Sequence, residues 1–124
     1  MKNVVKTTKA PGAIGPYSQG IQVGDMFFFS GQIPLNPETG EMPESIVEQA
    51  HQALTNVKGL LESQNLTFAN VVKTTVFLDN IDDFATVNEI YAQYFTEPFP
   101  ARSAVEIGRL PKGALIEVEV IAVK

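Results

Sequence analysis

Apolar residues recur along this chain with two different periods, and the change from one to the other marks its elements. In the first third the apolar runs are short. Val4 to Thr8 reads as a strand, and Pro11, Gly12, Gly15 and Pro16 break regular structure as far as Gln19. Gly20 to Val23 and Met26 to Gln32 are β-rich and are separated by Gly24-Asp25, the length and chemistry of a two-residue hairpin turn. Three phenylalanines in a row, Phe27 to Phe29, imply a strand covered on both faces. Pro34, Pro37 and Gly40 then interrupt the pattern.

The period lengthens after Ser45. Ser45 and Glu48 have the spacing of a capping box, and Ile46, Ala50, Ala53, Leu54, Val57, Leu60 and Leu61 form one helical stripe that runs to about Ser63. Val71 to Leu78 returns to β-branched and aromatic residues, and Asp79 to Asp83 supplies turn and cap residues before a second helix, Phe84 to about Thr96. That helix must stop before Pro98, and Pro100 keeps the approach to Arg102 extended. Ser103 to Ile107 and Ala114 to Val123 read as final strands joined by Leu110-Pro111-Lys112-Gly113, a hairpin. Strands, helix, strand, helix, strands predict an α+β domain with both helices on one face of a mixed sheet.

Composition narrows the chemistry. The 124 residues, 44% of them hydrophobic, suit a single domain over residues 1–124, and so short a chain gains from self-association. With no cysteine there is no disulfide, thiolate nucleophile or Cys-ligated metal. Met1 to Lys6 lacks a signal-peptide core and no segment is long and apolar enough to span a bilayer, so the expectation is a cytoplasmic protein without membrane contact. Asn65-Leu66-Thr67 is a glycosylation sequon by chance. A net charge of −5 with scattered lysines opposes binding to nucleic acid.

Polar residues inside apolar runs are the candidates for chemistry. Arg102 stands between Pro100 and an apolar strand, where a pre-held guanidinium can clamp a small carboxylate through two parallel hydrogen bonds. The alternative is a surface ion pair worth about 0–1 kcal/mol. Alternation along the last strand puts Glu117 and Glu119 on one face, either as a solvated acidic pair or as a proton-handling group and its neighbour. Asn88 lies among Phe84, Tyr91 and Phe95 on one side of the second helix, suited to a buried hydrogen bond or to a ligand. Tyr17 follows Gly15-Pro16 in a loop, and Ser30-Gly31 ends an apolar strand; core cover and a local turn bond are their plain alternatives. The lone His51 lacks partners for a metal set, and Gly12, Gly15 and Gly20 lack the spacing of a phosphate cradle, so neither metal nor cofactor is expected.

Gly15-Pro16-Tyr17-Ser18-Gln19-Gly20, Ser30-Gly31-Gln32-Ile33-Pro34, Val72 to Phe77, Phe84 to Asn88 and Pro100-Ala101-Arg102-Ser103, in this order over nearly the whole chain, resemble the Rid family of enamine/imine deaminases. The resemblance implies a chorismate-mutase-like fold assembled as a homotrimer, with sites in clefts between subunits. It implies hydrolysis of 2-imino acids or their enamine tautomers, such as 2-iminobutanoate and 2-iminopropanoate, to 2-oxo acids and ammonia, which protects pyridoxal-phosphate enzymes from reactive by-products. By the same resemblance Glu117 holds and activates water, Arg102 takes the carboxylate, and Tyr17, Ser30, the Gly31 backbone and Asn88 shape the pocket, with Glu119 structural. Two departures stand out: many relatives carry cysteine where this chain has Ala104, and the segment from Phe95 to Arg102 is shorter than in close deaminase relatives. A metabolite-sensing regulator using the same cleft is the rival reading. RNA binding or cleavage, proposed for some relatives, fits an acidic chain least.

Overall fold

The computed structural model describes residues 1–124. Its strands are β1 (Asn3–Val5), β2 (Gly20–Val23), β3 (Met26–Phe29), β4 (Val71–Leu78), β5 (Ala101–Glu106) and β6 (Ile116–Val123), and its helices are α1 (Ile46–Ser63) and α2 (Phe84–Tyr91). They build one small α+β domain, a six-stranded mixed sheet in the order β1-β2-β3-β6-β4-β5.

β2 and β3 pair antiparallel, with Val23 opposite Met26 across the expected turn at Gly24-Asp25. Gly24 takes a φ of +58°, a conformation that glycine adopts without steric cost. Helix α1 begins where its cap residues predict: Ser45 Oγ accepts from the Glu48 amide at 3.1 Å. The Glu48 carboxylate returns to the Ser45 hydroxyl, also at 3.1 Å, which closes the box through side chains. Ala50, Ala53, Leu54, Val57, Leu60 and Leu61 are buried against the sheet as one stripe. Gly59 lies within that helix because a Cβ there would strike the carbonyl of Lys9, where the loop after β1 crosses the helix. Helix α2 is shorter than expected. After Tyr91 the chain tightens into turns, with Tyr94 and Phe95 amides both reaching the Tyr91 carbonyl, and this brings the Phe95 ring to within 4.2 Å of the Tyr91 ring.

The expected hairpin between the last two strands does not form. β5 pairs parallel to β4, and β6 runs antiparallel between β4 and β3. A parallel neighbour is what a strand–helix–strand crossing through α2 delivers. Residues 107–115 then carry the chain across the end of β4, held by the Ile107 amide on Leu78 O at 2.9 Å and the Asp79 amide on Leu115 O at 3.0 Å. Hydrophobicity agrees with this order: Ile116, Val118, Val120 and Ala122 of the central β6 are buried, whereas β5 is an exposed edge. The first strand is also shorter than expected, because the Thr7 amide leaves the ladder for Gln19.

Both helices cover one face of the sheet, so its other face is open. Phe27 and Phe29 are buried, but Phe28 is 42% exposed, contrary to the expectation that both faces of this strand are covered. Phe28 shares the open face with Met26, Ile121, Phe77 and Val105, none of them fully buried.

Candidate functional site

The residues singled out from the sequence gather in two places. β4 separates them. Arg102 is in register with Thr74, whose side chain is buried on the helix side, and Glu117 is in register with Phe77, which faces the open side. Because side chains alternate along a strand, Arg102 and Glu117 project to opposite faces of one sheet. With β5 and β6 on either side of β4, they lie about 10 Å apart across the sheet and about 10 Å apart along it. One chain therefore does not bring the arginine and the glutamate together.

The first cluster is built on α2. Phe84, Asn88 and Tyr91 follow one another at i, i+4 and i+7 and share a helix face directed at the β5 edge. Arg102 Nη1 donates to Asn88 Oδ1 at 2.6 Å. Its Cζ stands 4.8 Å from the centre of the Tyr91 ring and 5.1 Å from that of Phe84. Asn88, Tyr91, Ala92, Phe99, Pro100 and Arg102 line a cleft of about 410 Å³. The guanidinium is thus held by a neutral amide and two rings, with donors left over for a ligand. The surface-carboxylate alternative for Arg102 is not what this geometry provides.

The second cluster is built on loops. Tyr17, Ser30, Gly31 and Glu117 line a cleft of about 510 Å³ with Gln19, Lys112 and apolar loop residues. Gln19, buried, holds its wall: Oε1 accepts from the Thr7 amide at 2.7 Å, and Nε2 donates to the carbonyls of Thr7, Ala10 and Pro11 at 3.0, 3.2 and 2.8 Å. Ser30 Oγ donates to Ser18 O at 2.6 Å, so its proton serves the local turn bond and only its lone pairs face the cleft. The Glu117 carboxylate lies against the Gly31 backbone, where any Cβ would overlap it. Burial pushes the Glu117 carboxyl above the ordinary range and the Glu119 charge on the same face pushes it further, so its proton affinity moves toward neutral pH. A group of this kind is suited to exchange protons with water.

His51 falls outside both clusters. Its Nδ1 is 2.7 Å from the Tyr94 hydroxyl, a hydrogen bond that ties α1 to the turn after α2. No group of three or more His, Asp or Glu side chains is placed to hold a metal ion, and no helix is long and apolar enough to cross a membrane. The largest cavity, about 780 Å³, follows β1 and the 6–19 loop; Lys6 is its only charged lining residue, so it offers no acid/base pair.

Neither Gln19 nor Tyr91 is given a role by the sequence alone. Gln19 sits in a glycine- and proline-rich stretch where a buried amide has no periodic signal, while the 84/88/91 spacing does point Tyr91 at the same partner as Asn88.

Comparison with known proteins places the chain in a family. The family model described as endoribonuclease L-PSP matches residues 7–124. A protein of Escherichia coli K12 named 2-iminobutanoate/2-iminopropanoate deaminase is 52% identical over 127 residues, covering 100% of this chain and 99% of its own. Among solved structures, a Rid-family protein of unknown function from Yersinia pestis superposes with a TM-score of 0.97 at 49% identity, with both chains fully covered. Escherichia coli TdcF with bound serine superposes with a TM-score of 0.94 at 46% identity, covering 98% of each chain. By matched length, identity and superposition alike, this chain belongs to the Rid family.

Proposed function

We propose that the chain is a hydrolase of 2-imino acids and their enamine tautomers, acting on 2-iminobutanoate and 2-iminopropanoate to release 2-oxo acids and ammonia. The observation that carries this is the end-to-end, 52% identical relative that bears the name of that activity. The serine bound to a second relative, a small ligand with a carboxylate, agrees with the substrate class.

The geometry supports a division of labour. Arg102 receives the substrate carboxylate on the guanidinium edge that Asn88 leaves free. Glu117, its carboxyl raised toward neutrality, takes a proton from water as the oxygen bonds to the imine carbon. That proton returns to nitrogen to give a carbinolamine, the proton of the new hydroxyl passes to the same nitrogen, and the C–N bond breaks so that ammonia leaves as the carbonyl forms. An enamine first gains a proton at carbon to become the imine. Tyr17, Ser30 and the Gly31 backbone wall the Glu117 side, and Asn88 walls the Arg102 side.

Arg102 and Glu117 act on one substrate only if the open sheet face of one copy meets the helix side of another. The half-exposed apolar residues of that face, Phe28 among them, favour such an assembly. We therefore assign a homotrimer of chorismate-mutase-like domains, each formed by residues 1–124, with sites in the clefts between copies. The endoribonuclease wording of the family model is set against a net charge of −5, which disfavours a polyanion.

Adding the protein to a threonine dehydratase reaction, in which iminobutanoate is released, tests the activity. Faster formation of 2-oxobutanoate and ammonia is expected; an unchanged time course overturns the assignment.

A further inference from the structure

The Arg102 cluster contains a buried phenol that the proposed chemistry leaves unused. Tyr91 is only 6% exposed, and its hydroxyl is 2.8 Å from the hydroxyl of Thr74, itself fully buried on β4. Its ring stacks on Phe95 with centroids 4.2 Å apart and planes inclined by 24°. The ring is therefore fixed at its tip by β4 and along its body by the turn after α2. Fixed in this way, it presents a π surface 4.8 Å from the Arg102 Cζ.

A guanidinium is a planar fork whose value for a carboxylate depends on where that plane points. Arg102 lies on an exposed edge strand, where a long side chain would otherwise sample many rotamers. The Asn88 hydrogen bond fixes one corner of the fork and leaves rotation about that bond free. A ring alongside removes that freedom. Burial raises the Tyr91 phenol above its usual value, against the opposing influence of the Thr74 hydrogen bond and the Arg102 charge. The ring thus stays neutral at physiological pH and holds Arg102 without neutralising it.

We infer that Tyr91, pinned by Thr74, is a positioning residue that sets the plane of the Arg102 guanidinium before substrate arrives. This rests on the reading of Arg102 as the carboxylate clamp. Tyr91 touches no reacting atom in this scheme; its effect on binding passes entirely through Arg102.

The test uses the full chain and 2-oxobutanoate as the binding probe, with calorimetry, and iminobutanoate generated in the assay for kinetics. Tyr91→Leu is expected to weaken 2-oxobutanoate binding and raise KM by about 5- to 10-fold, with kcat changed by less than about 2-fold. Tyr91→Phe keeps the ring and is expected to stay within about 3-fold of wild type in both quantities. In an Arg102→Ala background, Tyr91→Leu should cause no further loss of the residual kcat/KM, a coupling that a merely structural loss would not show. Independently of any variant, the Arg102 side-chain protons of the wild-type protein should be shifted upfield in NMR spectra by ring current. Unshifted Arg102 protons, a Tyr91→Phe as weak as Tyr91→Leu, or an undiminished Tyr91→Leu effect in the Arg102→Ala background overturns the inference. Normal 2-oxobutanoate binding by Arg102→Ala alone would instead remove the clamp, and the positioning role with it.

Discussion

The two clusters solve opposite problems. Around Arg102 a single helix face supplies Phe84, Asn88 and Tyr91 at regular spacing, so a mobile, permanently charged group on an exposed edge strand is held from one side. Around Glu117 the charged group sits on a rigid central strand, and the loops are what must be held, by Gln19 and by the bond from Ser30 to Ser18. A clamp keeps its charge and requires orientation. In the proposed role of base Glu117 has its orientation from the strand, and burial together with the Glu119 charge raises its carboxyl above the ordinary value. Rigidity is placed where the element itself lacks it.

The largest effect is expected where the clamp is removed. Arg102→Ala should lower kcat/KM by about 1,000-fold and abolish measurable 2-oxobutanoate binding, and Arg102→Lys should recover little, because an ammonium lacks the planar fork. Steady-state kinetics with product-binding calorimetry separates the two readouts. On the other side of the comparison, Glu117→Gln should lower kcat by about 100-fold while product affinity survives. Loss of affinity together with turnover would erase the distinction between the clusters.

Glu117→Gln carries a second signature in stability. A carboxyl whose folded-state value lies above its unfolded value makes the native state less stable as pH rises from the ordinary carboxylate range through the folded value. Thermal melts should therefore show Glu117→Gln above wild type at neutral pH, with the difference vanishing in acid below the unfolded value.

Mixing the two inactive variants tests whether the clusters meet between copies. Co-refolded in equal amounts, Arg102→Ala and Glu117→Gln chains should regain about a quarter of wild-type activity, the statistical share of interfaces that unite an intact arginine with an intact glutamate. No recovery would place both groups in one copy's site. Gly31→Ala should act more weakly, lowering kcat by about 10-fold as the added methyl displaces the Glu117 carboxylate, with little change in product affinity. The smallest expected effect belongs to Glu119→Gln. Removing that charge lowers the proton affinity of Glu117, so the acidic limb of the kcat/KM profile should move to lower pH.

Much of the local structure is legible without coordinates. The cap at Ser45, the α1 stripe, the β4 bounds and the Gly24-Asp25 turn follow from short-range sterics and hydrogen bonding, and each appears where its residues predict. Alternation along β6 likewise sets Glu117 and Glu119 on one face. The candidate residues were legible as types set in a pattern, a lone Arg after prolines and an Asn within an aromatic stripe.

The order of strands was not legible, and the site depends on it. Pro111 and Gly113 permit a turn in either topology, so nothing local distinguishes a β5–β6 hairpin from a crossing that inserts β6 between β3 and β4. That choice is made by burial summed over the sheet, since β6 carries the apolar row that a central strand requires and β5 does not. The same choice puts Arg102 and Glu117 on opposite faces, although they stand close in the sequence. Sequence by itself determined the elements and the chemical groups, because capping, turns and periodicity act over a few residues. Tertiary structure alone decided which groups share a cleft, because strand order and side-chain parity arise only when distant segments compete for one core.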